Sequence, residues 1–178
     1  MKINDSERLQ FRTMTAADSD LLFELDQDPE VMRYVGVGQI SSQQQIDEVL
    51  VPRMQSYTNR DKGWGIWKVS SKTDGCYLGW IIIRPMDFFS DSPQFDNIEI
   101  GWRFFRKFWG NGYATEAAQQ FKQAFMNCDE VIKLTAIAIE ENSASVNIMK
   151  KLGMKFIKKD IHKDPLGDNE VVFYEVEI

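Results

Sequence analysis

A glycine-containing bend between a predicted strand and a predicted helix constrains this chain more than any other feature. The strand covers Asn97 to Phe104 and the helix covers Gly112 to Met126. Gly110 and Gly112 carry no side chains, so backbone N–H groups can turn toward a bound anion. The N-terminus of the following helix adds unsatisfied donors and a partial positive charge. This order of elements predicts a site for the diphosphate of a nucleotide cofactor.

Two well-known phosphate-binding patterns fail to match the bend. A P-loop requires Gly-Lys-Ser/Thr, which does not follow here. The dinucleotide fingerprint requires glycine or alanine where Thr115 stands, and an acidic residue at the end of the next strand. Asp129 and Glu130 precede that strand and Glu140 follows it too late, so a dinucleotide oxidoreductase is disfavoured. A glycine turn that only caps the helix remains the alternative.

The rest of the chain predicts an α+β fold, because strand-like and helix-like apolar patterns both occur. Strands are predicted at Arg8–Thr13, Trp64–Ser70, Tyr77–Arg84, Asn97–Phe104, Val131–Ile139, Lys155–Ile161 and Val171–Ile178, and helices near 15–25, 29–34, 42–54, 112–126 and 143–152. Loops are predicted at 85–93 and at a last turn over 164–168. A helix between the fourth and fifth strands allows those two to run parallel, while hairpins elsewhere imply antiparallel pairs. We expect one domain over residues 1–178, with a mixed sheet and helices on its faces.

Composition excludes several classes of function. The net charge is −6, which disfavours general nucleic-acid binding and suits a cationic substrate such as an amine. Cys76 and Cys128 show no metal or redox spacing, which predicts a reduced, cytoplasmic protein. His162 is the single histidine, so we expect no His-rich metal site. No apolar run approaches the ~20 residues of a membrane span, so we expect no membrane partner.

The bend resembles motif A of the GNAT N-acetyltransferases, Gln/Arg-x-x-Gly-x-Gly/Ala. Gly112 and Ala114 match that motif, and Trp109 stands where glutamine or arginine is usual. The unbroken run from Trp109 to Ala117 is similar to the subgroup of ribosomal-protein-alanine and ribosomal-protein-serine N-acetyltransferases. Residues 142–145 and 151–154 resemble motif B, Asn-x-x-Ser…Lys-Leu-Gly-Phe, with methionine in place of the phenylalanine. Segments 8–12, 28–32 and 171–175 extend the resemblance over most of the chain.

The resemblance implies a mostly antiparallel sheet of six to seven strands that splits between strands four and five. It also implies acetyl-CoA as co-substrate, without a metal. The diphosphate would bind the loop formed by Trp109, Gly110, Asn111, Gly112, Tyr113, Ala114 and Thr115. The backbone of Trp102, Arg103 and Phe104 would pair with the pantetheine arm like an added strand. Asn142 would meet the arm from the other side, although a helix cap is its alternative role.

Amine acetylation requires a neutral amine, a polarised thioester carbonyl and protonation of the leaving thiolate. Glu99 is the candidate base, since alternation places it on the opposite face from Ile98 and Ile100. The alternative is a glutamate that faces solvent. Many members of the superfamily place a tyrosine acid where Met149 stands here, so Ser145 is the substitute acid. Its alternative role is a helix serine bonded to backbone.

We therefore expect acetyl transfer to a primary amine by direct attack in a ternary complex, since no cysteine nucleophile is evident. The resemblance suggests the N-terminal amine of a ribosomal or other protein as acceptor. A small amine (a polyamine, an antibiotic or an amino acid) stays open, as does a degenerate module that binds acyl-CoA without turnover. The acceptor-side loops, 35–40 and 85–95, carry no readable code, and the chain leaves monomer and homodimer open.

Overall fold

A mixed sheet lies at the centre of the computed structural model, which describes residues 1–163 and 167–178. Its strands are β1 Leu9–Thr13, β2 Gly65–Ser71, β3 Tyr77–Met86, β4 Gln94–Phe104, β5 Lys133–Ala138, β6 Lys155–His162 and β7 Asn169–Glu177. The strand order is β1-β2-β3-β4-β5-β7-β6. β4 and β5 are parallel and the other neighbours are antiparallel, which confirms the predicted mixed, mostly antiparallel α+β sheet.

Helices connect the first strand to the second and flank β5. They are α1 Ser19–Leu25, α2 Pro29–Met32, α3 Gln43–Gln45, α4 Val51–Tyr57, α5 Tyr113–Phe125 and α6 Ser143–Lys151. The helix predicted over 42–54 is interrupted by a π-helical segment at Ile46–Leu50. Pro52, near the start of α4, has no N–H to donate to the preceding turn, which accounts for a change of helical hydrogen bonding there.

The loop predicted at 85–93 is shorter in the structure, because β3 continues to Met86 and β4 begins at Gln94. Pro85 pairs with Ile98 of β4, while the pairing with β2 ends at Ile83. Proline is tolerated at this point because β3 has already left its other neighbour. The predicted last turn includes residues 164–166, which lie outside the described residues.

Apolar side chains fill both faces of the sheet. On one face Phe121 and Phe125 of α5 are fully buried, and Phe121 packs edge-on against Phe11 and Trp67 at ring distances of 5.3 and 5.5 Å. On the other face the helices before β2 bury a separate group, which includes Leu25, Ile46 and Met54. Each such side chain contributes about 1.5–3 kcal/mol on burial. The two cores fix the helices on which the cleft depends.

The sheet splits between β4 and β5, as the resemblance implies. The two strands pair at Asn97–Lys133, Ile98–Leu134 and Glu99–Thr135. Beyond Glu99, β4 continues to pair with β3 as far as Phe104, and β5 continues to pair with β7 as far as Ala138. The strands therefore diverge, and one edge of β4 is left facing a cleft.

Candidate active site

A cleft of about 720 Å³ opens at the split in the sheet. One wall of the cleft consists of the end of β4, the glycine bend and the first turns of α5 and α6. The opposite end is lined by side chains from the helices before β2 and from β3. The residues that line the cleft include Asp26, Tyr57, Trp80, Arg84, Glu99, Gly101, Trp102, Arg103, Phe104, Trp109, Gly110, Gly112, Tyr113, Ala114, Thr115, Asn142, Ser145 and His162.

The glycine bend exposes main-chain donors to the cleft. Gly110 and Gly112 have φ values of +77° and +79°, a conformation that glycine adopts without strain. The N–H groups of residues 113–115, in the first turn of α5, have no intrahelical acceptor. Because the N-cap residue is Gly112, no side chain caps them either. Within residues 1–163 and 167–178, the N–H groups of Gly110 and Gly112 have no hydrogen-bond partner either. Such a set of amides can bind an anion.

Trp109 anchors the bend to the end of β4. Its Nε1–H donates to the Phe104 carbonyl oxygen at 2.8 Å, while 47% of the residue is exposed. The indole N–H of Trp109 is therefore used on the backbone of β4.

The backbone of β4 presents alternate residues to the cleft. Phe105 N–H donates to Leu78 O on β3, so the Phe104 carbonyl, at the other end of the same trans peptide, points away from β3. Polar groups alternate sides along a strand, and the pairing with β3 is regular from Ile98 to Phe104. Trp102 and Phe104 therefore direct their N–H and C=O groups toward the cleft, and Arg103 directs its own toward β3.

The Arg103 side chain joins β4 to the first helix. Its guanidinium forms an ion pair with Asp26, which is only 1% exposed. Asp26 also accepts a hydrogen bond from Ser41 Oγ at 2.7 Å. The guanidinium lies over the Trp80 ring, 4.8 Å from its centroid. A buried charge is tolerated here because its partners saturate it.

Glu99 is buried, with 6% of its surface exposed, and does not face solvent. Its two oxygens accept from Arg84 Nε at 2.7 Å and Nη2 at 3.0 Å. The Arg84 guanidinium lies 5.8 Å from the ring centroid of Tyr57. Burial raises the pKa of Tyr57, so this hydroxyl keeps its proton at neutral pH. A carboxylate, a guanidinium and a neutral phenol thus lie together at the end of the cleft opposite the glycine bend.

Asn142 and Ser145 face the β4 edge from α6. Asn142 caps α6, with Oδ1 accepting from Ser145 N–H at 3.2 Å. Ser145 Oγ accepts from Trp102 Nε1 at 3.3 Å, which leaves the serine hydroxyl hydrogen available as a donor. Met149 is buried in the core and supplies no hydroxyl. The structure therefore brings Asn142 and Ser145 at the start of α6 close to Trp102 of β4, an element that the sequence placed elsewhere.

Several cations near the bend in sequence are engaged elsewhere. Arg106 forms an ion pair with Asp28 at 3.0 Å, and Lys107 lies over the rings of Phe105 and Phe108. On β6, Lys158 pairs with a carboxylate on its own strand, and Lys159 pairs with carboxylates from β7 and from the turn before α6.

Sequence reasoning missed four residues in or behind the cleft: Arg84, Tyr57, Asp26 and Arg8. Arg84 had a readable signal, because it is a charge at the end of a continuous apolar strand. Asp26 and Arg8 acquire their roles through partners 77 and 108 residues away in the chain. No local pattern encodes such pairs.

The described residues contain no cluster of metal-ligating side chains and no candidate membrane span. Among them no group of three or more His, Cys, Asp or Glu side chains is arranged to hold a metal ion. In the same part of the chain, no helix is both long enough and apolar enough to cross a bilayer.

Known proteins with similar sequences and structures give independent evidence on the family of this chain. The family model described as an acetyltransferase (GNAT) domain matches residues 8–155. The protein YkkB of Bacillus subtilis is 31% identical over 156 residues, 86% of this chain and 85% of its own. The FsC-acetyl coenzyme A-N(2)-transacetylase of Aspergillus fumigatus is 29% identical over 161 residues, 88% of this chain and 66% of its own. A solved structure of RimL, a ribosomal L7/L12 alpha-N-protein acetyltransferase in complex with coenzyme A, has a TM-score of 0.75 at 14% identity, covering 99% of this chain and 97% of that one.

Proposed function

This chain belongs to the GNAT family of acetyl-CoA-dependent N-acetyltransferases, and from that premise we propose direct acetyl transfer to the N-terminal amine of a ribosomal or other protein. One observation carries the proposal more than any other. The bend amides without partners and the free edge of β4 line the same cleft. Together they suit the two ends of coenzyme A, a diphosphate and an amide-containing arm. The RimL fold supports the protein N-terminus as acceptor.

We propose that the loop from Trp109 to Thr115 binds the diphosphate through main-chain N–H groups. The pantetheine arm then pairs with β4 as an added strand, through the backbone of Trp102 and Phe104. Arg103 contributes through its side chain, which holds β4 against α1. The Asn142 amide group approaches the arm from α6 while Oδ1 caps that helix. This arrangement directs the thioester toward the acceptor end of the cleft.

We propose Glu99 as the group that accepts the proton of the substrate ammonium. Each of its oxygens accepts one bond from Arg84 and keeps a further lone pair. The neutral amine then attacks the thioester carbonyl, and the C–S bond breaks as the tetrahedral intermediate collapses. Ser145 Oγ–H donates toward the departing sulfur, because Trp102 occupies the serine oxygen as a donor and leaves its hydrogen free. The acetyl group ends on nitrogen, whose surplus proton passes through solvent to the Ser145 oxygen as the amide forms. Coenzyme A leaves as the thiol, and Glu99 returns its proton to solvent.

A small amine is the second candidate acceptor. The Aspergillus relative is named for an N(2)-transacetylase reaction of FsC, which is acetyl transfer to a substrate not named as a protein. A degenerate module that only binds acyl-CoA is the third candidate, since Met149 replaces the usual tyrosine. Met149 is buried and carries no hydroxyl, whereas Ser145 on the same helix lines the cleft.

The discriminating experiment measures thiol release from acetyl-CoA with a panel of acceptors. The panel contains peptides with free and blocked N-termini, a polyamine, an aminoglycoside and free amino acids. We expect turnover with free-N-terminus peptides and none with the blocked ones. Turnover confined to a small amine would contradict the protein acceptor but keep the enzyme. Tight coenzyme A binding with no turnover on any amine would favour the binding module.

We also propose that residues 1–178 act as one cytoplasmic domain. The strands from residue 9 to residue 177 belong to one sheet, which supports a single unit. Cys76 and Cys128 are free thiols, which fits a reducing compartment.

A further inference from the structure

The peptide planes of the glycine bend need contacts from other residues to orient them, because the glycines have no side chains that would restrict them. Gly110 and Gly112 each adopt a positive φ, and glycine samples many conformations of similar energy. A flexible loop would have to order its amides when an anion binds, and that ordering weakens binding. Strong binding therefore needs contacts that hold the planes beforehand.

Two side chains hold the carbonyls of the bend. Asn111 Nδ2 donates to the Trp109 carbonyl at 3.0 Å, and Arg8 Nη1 donates to the Asn111 carbonyl at 3.1 Å. In a trans peptide the C=O and the following N–H point in opposite directions. The N–H groups of Gly110 and Gly112 must therefore point away from these two donors. Both glycines line the cleft.

Arg8 is held in turn by Glu116, in the first turn of α5. Arg8 Nε donates to Glu116 Oε2 at 2.6 Å, and Arg8 N–H donates to Oε1 at 2.9 Å. Ser6 Oγ donates to the same Oε1 at 2.7 Å. The guanidinium also lies 4.5 Å from the ring centroid of Tyr113. These contacts connect β1, the bend and α5 in a closed ring.

The carboxylate of Glu116 stays charged in this ring. Its burial alone would raise the pKa, but the bonds from Ser6 and from Arg8 outweigh burial and hold the pKa below its usual range. The pair is therefore ionised at neutral pH, which fixes the direction of both Arg8 donors.

We propose that Arg8, held by Glu116, is a positioning residue that preorganises the main-chain amides for the diphosphate of coenzyme A. Arg8 acts from behind the bend, through the Asn111 carbonyl, and does not itself touch the phosphates. The proposal rests on the proposed function, because it assumes that the bend binds the diphosphate. It predicts that the pair matters for coenzymes that carry the diphosphate and not for shorter thioesters.

The test compares Arg8→Gln and Glu116→Gln with Arg12→Gln as the matched control. Arg12 lies on β1, the strand that begins directly after Arg8, and pairs with Asp18 at 2.5 Å, away from the bend. Calorimetry gives the Kd of coenzyme A, and steady-state kinetics gives the KM of S-acetylpantetheine, which lacks both the diphosphate and the nucleotide. Circular dichroism at the assay temperature restricts the comparison to folded protein.

We expect the Kd of coenzyme A to rise about tenfold in both bend variants, as the loss of a charge-assisted hydrogen bond predicts. The KM of S-acetylpantetheine should stay within twofold of the wild type, and Arg12→Gln should change neither value. An unchanged Kd in Arg8→Gln, or equal losses for both ligands, would overturn the positioning role. A wild-type protein that binds no coenzyme A would instead overturn the proposed function.

Discussion

At the scale of single residues, the site depends on side chains that bind backbone and not ligand. Trp109 is an example, because its indole N–H holds the Phe104 carbonyl at the junction of β4 and the bend. This tryptophan stands where the motif usually has glutamine or arginine. The consequence is a bend whose start is fixed to the strand that borders the cleft.

Trp109→Phe should weaken coenzyme A binding about fivefold, since a hydrogen bond contributes about 0.5–1.5 kcal/mol net. The ring is retained, so packing changes little. Calorimetric Kd values measure the effect, and Trp64→Phe serves as the control because Trp64 stacks on Phe95 away from the cleft. Equal Kd values for the wild type and Trp109→Phe would show that the anchor is dispensable.

Glu99→Gln should lower kcat by about a hundredfold or more, as expected for removal of a general base, and leave the Kd of coenzyme A unchanged. It also removes the charge of one bidentate partner of the buried Arg84, so the variant should be less stable to urea. Initial rates over a range of pH and calorimetry separate the two effects. A kcat equal to that of the wild type at every pH would remove Glu99 from the mechanism.

At the scale of elements, α5 is fixed at both ends. Phe121 and Phe125 bury its C-terminal half against the sheet, and Glu116 ties its first turn to β1. The sequence predicted this helix and every strand of the sheet, and most of these elements bury an apolar face, although the residues of β6 are exposed or half-buried. Sequence placed their ends less accurately. The extension of β3 to Met86 depends on its pairing with β4, and the π-helical segment at Ile46–Leu50 accompanies Pro52 near the start of α4.

The pH dependence of the free energy of unfolding should show that an ion pair links α5 to the residue before β1. The folded-state pKa of Glu116 lies below its ordinary value of 4.5, so its contribution is present above pH 4.5 and is lost as the pH falls below that value. We expect Glu116→Gln to cost about 0.5–1 kcal/mol at neutral pH, because Arg8 is 44% exposed and solvent screens the pair. Urea unfolding at pH 7 and at pH 3 measures it. A cost that persists undiminished at pH 3 would contradict an ionic link.

At the scale of the whole molecule, the split sheet converts a strand edge into a binding surface. β4 leaves β5 after Glu99, and the cleft that results is bordered by the bend on one side and by α6 on the other. The motifs of the sequence predicted the bend and the start of α6, which line one end of this cleft. Glu99 was predicted on β4, but its partner Arg84 and the ion pair of Arg103 with Asp26, 77 residues away, were not.

An NMR titration of ¹⁵N-labelled protein with coenzyme A tests the central claim most directly. The amide resonances of Gly110, Gly112, Tyr113 and Ala114 should shift strongly, since their N–H groups would gain charged acceptors. Amides of β6, at the far edge of the sheet, should stay in place. Saturable binding of coenzyme A that leaves the four bend amides unshifted would contradict the account.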